Sequence, residues 1–152
     1  MPSTFRFDRR WVFSVPPEEL WRTLSSTDRF PEWWAWLSRF ESDGLVEGTT
    51  AHCVVRAPLP YRLSFQVAIR EVVVEHLVDT LVSGDLEGPA RLELAPHPDG
   101  STARLAWEVE LRAPMLRATS TVARPLMEWA HGWVVDTGVR QFRRAALGER
   151  PR

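Results

Sequence analysis

Lysine is missing from the chain altogether, and cysteine occurs once among its 152 residues. All 19 basic residues are therefore arginine, a bias that fits codon usage and carries no functional reading. The single thiol, Cys53, excludes an internal disulfide or a thiolate cluster and points to a reducing, cytoplasmic compartment. No apolar run approaches the roughly 18 residues of a membrane span. Met1 to Arg10 also lacks the apolar core of a signal peptide. A formal net charge of −1 removes the electrostatic footprint of a nucleic-acid binder. Gly-rich phosphate loops, G-x-S-x-G, H-E-x-x-H and C-x-x-C are all absent. The four histidines, at 52, 76, 97 and 131, lie more than 20 residues apart, so no local metal pair exists. No metal and no cofactor is expected.

With 44% hydrophobic and 26% charged residues, the chain can bury a sizeable core, and residues 1–152 read as one domain. Phe5 to Val15 alternates apolar and charged residues with period two, Arg9 being the exception, and predicts a strand. Pro16-Pro17-Glu18-Glu19 is a helix entrance, with Leu20, Trp21 and Leu24 as its apolar contacts. A second short helix is predicted over roughly Arg29 to Phe40, carrying Phe30, Trp33, Trp34, Trp36 and Leu37. Strands follow: Ala51 to Ala57, then a long one in which Leu63, Phe65, Val67 and Ile69 share a face, with a bulge near Glu71. Leu77 to Gly84 and Ala90 to Ala95 come next, separated by a turn over Gly84 to Pro89. His97-Pro98-Asp99-Gly100 reads as a hairpin connection into the alternating Leu105 to Leu111. No helices intervene, so the sheet should be antiparallel. The last element is a helix over about Met115 to Leu147, with Pro125 as a kink. Its inner stripe is expected to hold Met127, Ala130, His131, Val134, Gly138, Gln141, Phe142 and Ala145.

One helix is narrower than six or seven strands, so a sheet closed by a single long helix leaves a cavity beside it. This order of elements resembles the START/Bet v 1-like helix-grip superfamily, specifically its bacterial polyketide cyclase/dehydrase-like (SRPBCC) branch. The resemblance is carried by Phe13 to Trp21, Phe30-Pro31-Glu32-Trp33-Trp34, Gly84 to Gly88, Trp107-Glu108-Val109 and Trp129-Ala130-His131. It implies an α+β helix-grip fold. In that fold a curved antiparallel sheet of six to seven strands wraps a long C-terminal helix, with two short helices after the first strand. It also implies a deep ligand cavity, but it does not imply a reaction.

The expected cavity lining is Trp36, Cys53, Val55, Phe65, Val67, Trp107, Val109, Met127, His131, Val134 and Gln141. His131 is the candidate catalytic residue, where a neutral imidazole could move a proton near neutral pH. Its other reading is a helix histidine bonded to a neighbouring element, and Gln141 carries the same two readings. Trp107 serves either the cavity wall or the core, and Gly138 permits close approach of helix and sheet. Of Trp33, Trp34 and Trp36, at least one should be exposed, since one helix cannot turn all three inward. Cys53 reads as inert, and Glu108 and Glu110 should face solvent. Resembling aromatase/cyclases carry an arginine on the long central strand; here the inward positions hold no cation. Three functions follow: a non-catalytic binder of a lipid, isoprenoid or polyketide-like ligand, a polyketide cyclase or dehydratase with His131 as general base, or a protein-interaction module using the tryptophans. The expected partner is a hydrophobic small molecule, not nucleic acid, and the chain is a monomer or homodimer.

Overall fold

Alternation in the first segment does produce an edge strand, β1 (Thr4–Phe13), paired antiparallel along its whole length to the last strand, from Thr4 opposite Glu110 to Phe13 opposite Ser101. The computed structural model describes residues 4–56, 62–112 and 132–148. Pro17 then opens helix α1 (Pro17–Ser25), and the Pro16 carbonyl accepts from the Glu19 and Leu20 amides. Glu18 and Glu19 lie in the first turn, where the helix dipole favours them. Leu20, at 0% exposure, anchors the helix against the sheet. Truncating a side chain so placed costs about 2–5 kcal/mol.

A 3-10 turn, Thr27–Arg29, leads into α2, which spans only Phe30–Trp33. The expected extension to Phe40 does not form. Trp34 is extended (φ −126°, ψ 93°) and Leu37–Glu41 is strand β2, with Phe40 opposite Cys53 of β3 (Thr50–Val55). The apolar spacing of Trp33 to Phe40 suits either period. Pairing with β3 gives these backbone groups partners in the sheet, and long-range pairing overrides the local pattern.

Strands β4 (Leu63–Val73), β5 (Leu77–Gly84), β6 (Leu86–His97) and β7 (Gly100–Leu111) complete a seven-stranded antiparallel sheet in the order β1-β7-β6-β5-β4-β3-β2. The bulge falls where expected, between Ile69 and Glu71. The turn expected over Gly84 to Pro89 shrinks to Asp85 alone, and Gly88 and Pro89 belong to β6. Asp85 makes this possible by holding three chain segments together. Its amide donates to the Ser64 carbonyl, its carboxylate accepts from the Ser64 amide at 2.8 Å, and its carbonyl accepts from the Arg112 amide at 2.7 Å. The β6–β7 ladder skips Gly88 and Pro89, the proline having no amide to offer.

Residues 132–141 are helical (α3), and a π turn over Phe142–Ala146 ends the helix. The earlier part of the expected helix, with Pro125, lies outside the described residues. The helix packs on the concave face of the sheet: Phe142 joins Phe13, Leu20, Trp33, Leu94 and Ala103 in one apolar cluster. Its buried stripe is Val135, Gly138 and Phe142, with Val139, Ala146 and Leu147 packed alongside. Relative to the expected stripe this is rotated by about 50°, at 100° per residue, with Gly138 and Phe142 common to both. Ala145 is exposed, while Val139, absent from the expected stripe, packs inside. The reason lies in the partner, since α3 docks against two tryptophans as well as against the sheet. The result is an α+β helix-grip fold. No helix among the described residues is long and apolar enough to cross a membrane.

Candidate functional site: the concave face and its rim

Pairing registers fix which side chains share the concave face. Phe5, Phe7, Arg9, Trp11 and Phe13 of β1 stand opposite Val109, Trp107, Leu105, Ala103 and Ser101 of β7. The same face continues through Ala90, Leu92 and Leu94, then Val78, Thr80 and Val82, then Phe65, Val67 and Ile69, to Ala51 and Cys53. Two apolar clusters occupy it. The lower one, at the Phe13 end, is closed by α1, α2 and α3. The upper one is built on Phe5, Val82 and Val109 and leaves Leu63, Phe65, Val67, Leu86, Ala90 and Trp107 only partly buried. Half-buried aromatics and aliphatics on a concave sheet are the lining an apolar ligand needs.

The upper cluster therefore brings together Phe65, Val67, Trp107 and Val109 of the expected lining. Cys53 is 5% exposed on the adjoining strand, opposite Phe65, and burial pushes its thiol up to about 12, which keeps it protonated and inert. Val55 follows on β3, opposite Leu63. Trp107 stacks on Phe7 with ring centroids 4.3 Å apart. Glu108 and Glu110 point the other way and pair with Arg6 and Arg112.

Trp36 and Gln141 meet each other away from the upper cluster. The Trp36 indole donates to the Gln141 side-chain oxygen at 3.0 Å, and the Trp34 indole donates to the Gly138 carbonyl at 2.9 Å. The two indoles stack, with centroids 5.6 Å apart. Of its two readings, Gln141 thus shows the structural one. Gly138 does allow a close approach, but to these tryptophans: a Cβ there would lie 3.2 Å from Trp36 and 3.6 Å from the Trp34 nitrogen. The expected exposed tryptophan is absent from the trio. Trp33 is buried and Trp34 and Trp36 are half-buried, because only Trp33 sits on α2 and the extended chain turns the other two towards α3. Val134 is half-buried on the flank of the helix. Met127 and His131 lie outside the described residues.

Thr80 is inward and buried, its hydroxyl donating to the Ala90 carbonyl at 2.8 Å. Asp79 takes the opposite side. Among the described residues no group of three His, Cys, Asp or Glu side chains is placed to hold a metal ion. What the sequence reading missed is Arg9. It is the one charged residue at an inward position of the described strands, its guanidinium 5.4 Å above the Phe7 ring and 3.0 Å from Asp136 of α3. Its signal was visible as the single break in the β1 alternation.

Comparison with known proteins agrees with this architecture. A crystal structure of a protein from Thermus thermophilus superposes with a TM-score of 0.71 at 16% identity, covering 95% of this chain and 97% of that one. The di-domain aromatase/cyclase StfQ of the steffimycin biosynthetic pathway gives 0.70 at 10% identity, covering 96% of this chain and 51% of its own. A Thalictrum norcoclaurine synthase point mutant in complex with a transition state analogue gives 0.58 at 13% identity, covering 86% and 92%. At these identities the likeness is one of fold. No curated protein matches the sequence. A family profile described as polyketide cyclase / dehydrase and lipid transport matches residues 4–147, and the chain belongs to that family.

Proposed function

We propose that residues 1–152 form a single START-like ligand-binding domain. In this reading it holds a hydrophobic small molecule, a lipid, isoprenoid or polyketide-like compound, between the sheet and the C-terminal helix, without catalysing its conversion. The observation that carries this is the upper cluster: Phe65, Val67 and Trp107 remain partly exposed on an inward face, and among the described residues no carboxylate or histidine shares that cluster. A cytoplasmic carrier or sensor that meets its ligand as a free small molecule fits this lining. The family description, which names both cyclase/dehydrase activity and lipid transport, supports one alternative, a cyclase or dehydratase with His131 as general base. In that alternative the Gln141 oxygen accepts from the Trp36 indole, and its amide N–H groups are the part that can help.

The test is native mass spectrometry of the purified protein, followed by organic extraction. Wild type is expected to carry a hydrophobic adduct, and Val67→Trp, which fills the upper cluster, to lose it while keeping a cooperative melt. A bare wild-type mass together with no binding of N-phenyl-1-naphthylamine would overturn the reading. His131→Ala is expected to keep the adduct unchanged. An adduct that appears in a chemically converted form only when His131 is present would favour the enzyme instead.

A further inference from the structure

The concave face is apolar except at one edge. Across the inward positions of the described strands the polar side chains are Arg9, Cys53, Thr80 and Ser101. Cys53 is buried and protonated, Thr80 is bonded to the Ala90 carbonyl, and Ser101 is fully buried beside the lower cluster. Arg9 alone brings a charge. It stands midway along β1, an edge strand, and reaches across to Asp136 on α3. Directly beneath it runs a continuous aromatic strip, in which Phe7 stacks on Trp107 at 4.3 Å and on Trp11 at 6.1 Å. Trp107 belongs to the lining of the upper cluster, so the strip leads from the half-buried apolar surface to the guanidinium.

We propose that Arg9 is the polar anchor of this site, and that the ligand is a hydrophobic molecule carrying one anionic oxygen head, such as a carboxylate. The apolar body lies along Phe65, Val67 and Trp107, and the head pairs with Arg9 at the seam between β1 and α3. This rests on the ligand-binding reading above.

Asp136 holds the anchor in the meantime. The pair is made by two side chains that are 53% and 63% exposed, so water screens it and a ligand head can replace Asp136 at little cost. The stacking of Arg9 over Phe7 keeps the planar fork near the strip, where a carboxylate can be held through two parallel N–H bonds. A cationic head group is disfavoured beside the guanidinium, where like charges repel. No bond is made or broken in this step.

The experiment compares two fluorescent probes that share a ring system. One is 1-anilinonaphthalene-8-sulfonate and the other is N-phenyl-1-naphthylamine, which lacks the sulfonate. Each is titrated against wild type, Arg9→Gln and Asp136→Asn, after near-UV circular dichroism has shown that the variants keep their tertiary packing. Arg9→Gln is expected to weaken the sulfonate probe about tenfold and leave the neutral probe within twofold. Asp136→Asn frees the anchor and is expected to strengthen the sulfonate probe severalfold. Equal losses for both probes, or an unchanged sulfonate affinity in Arg9→Gln, would overturn the anchor while sparing the apolar site. Failure of both probes on wild type would overturn the ligand-binding reading and the anchor with it.

Discussion

Gly88→Ala tests the close packing behind the candidate site. Gly88 has φ +149°, and a Cβ built there would lie 1.9 Å from the Glu108 carbonyl oxygen and 3.0 Å from the Val109 Cα. Carbon–oxygen contacts settle near 3.3 Å or beyond, so β6 and β7 must part by more than about 1 Å. The strand cannot simply rotate away, because Glu87 opposite Glu110 and Ala90 opposite Trp107 hold it on both sides. Losing one or two ladder hydrogen bonds, at about 1 kcal/mol each, adds to an overpacking cost of about 1–3 kcal/mol. The sum is about 2–5 kcal/mol, which for a domain of this size lowers Tm by roughly 10 °C. Gly48→Ala is the matched control: its φ is +83° with nothing within 4 Å of the added carbon, leaving only the left-handed backbone cost of about 1–2 kcal/mol. Thermal unfolding followed by near-UV circular dichroism reads both. N-phenyl-1-naphthylamine binding should also fall in Gly88→Ala, since Val109 and Trp107 sit on the displaced strand. A Gly88→Ala melt no lower than that of Gly48→Ala would refute the argument.

Three other outcomes follow from the geometry. Trp36→Phe removes the hydrogen bond to Gln141 and weakens the stack on Trp34, for an expected loss of about 1–2 kcal/mol by urea titration with unchanged slope. The Arg104 guanidinium beside Asp8, bonded to its carboxylate at 2.6 Å, holds that carboxyl below its ordinary value of 3.8. A folded-state value lowered in this way stabilises above the unfolded value, and the gain is lost as pH falls through the folded one. Asp8→Asn should therefore be less stable than wild type at pH 7 and converge with it below about pH 3.8, as read by midpoints across that range. Cys53 should resist iodoacetamide at pH 8 in the folded protein and react at once in guanidinium chloride, its thiol being pushed up to about 12 by burial.

The strands of the sheet centre were legible because each buries one face. Leu63, Phe65, Val67 and Ile69 alternate with Ser64, Gln66, Ala68 and Arg70, and a one-residue slip would have turned the whole set outward. Even the bulge at Glu71 showed as a change of parity. The short β2 was not legible, since five residues with a single Leu and a single Phe carry too few repeats of either period to decide between helix and strand. The span from Gly84 to Pro89 misled for another reason. Glycine and proline signal a turn locally, but here the glycine allows two strands to approach closely and the proline occupies a skipped ladder position. The register of α3 was missed because a helical wheel assumes a single flat partner. Trp34 and Trp36 supply a second partner from a distant part of the chain.

These same contacts explain why the site is one-sided. The lower half of the concave face is closed by Trp33, Leu20 and Phe142, brought there by three separate helices, and the stacked indoles lock α3 over it. Nothing comparable covers the upper half among the described residues, where the side chains are no less apolar but are left partly exposed. Under the proposed reading this partly exposed apolar surface receives the ligand, and the sheet pairs fix its shape without any contribution from that ligand. Close packing is thus concentrated at one end of the groove, and the proposed recognition falls at the other. Arg9 stands on β1 between the two clusters, with Phe7 of the strip on one side of it and Trp11 of the packed core on the other. A charge at that boundary can stay hydrated while its aromatic neighbours are buried, and under the proposed anchor it lets an otherwise apolar groove discriminate between ligands by their heads.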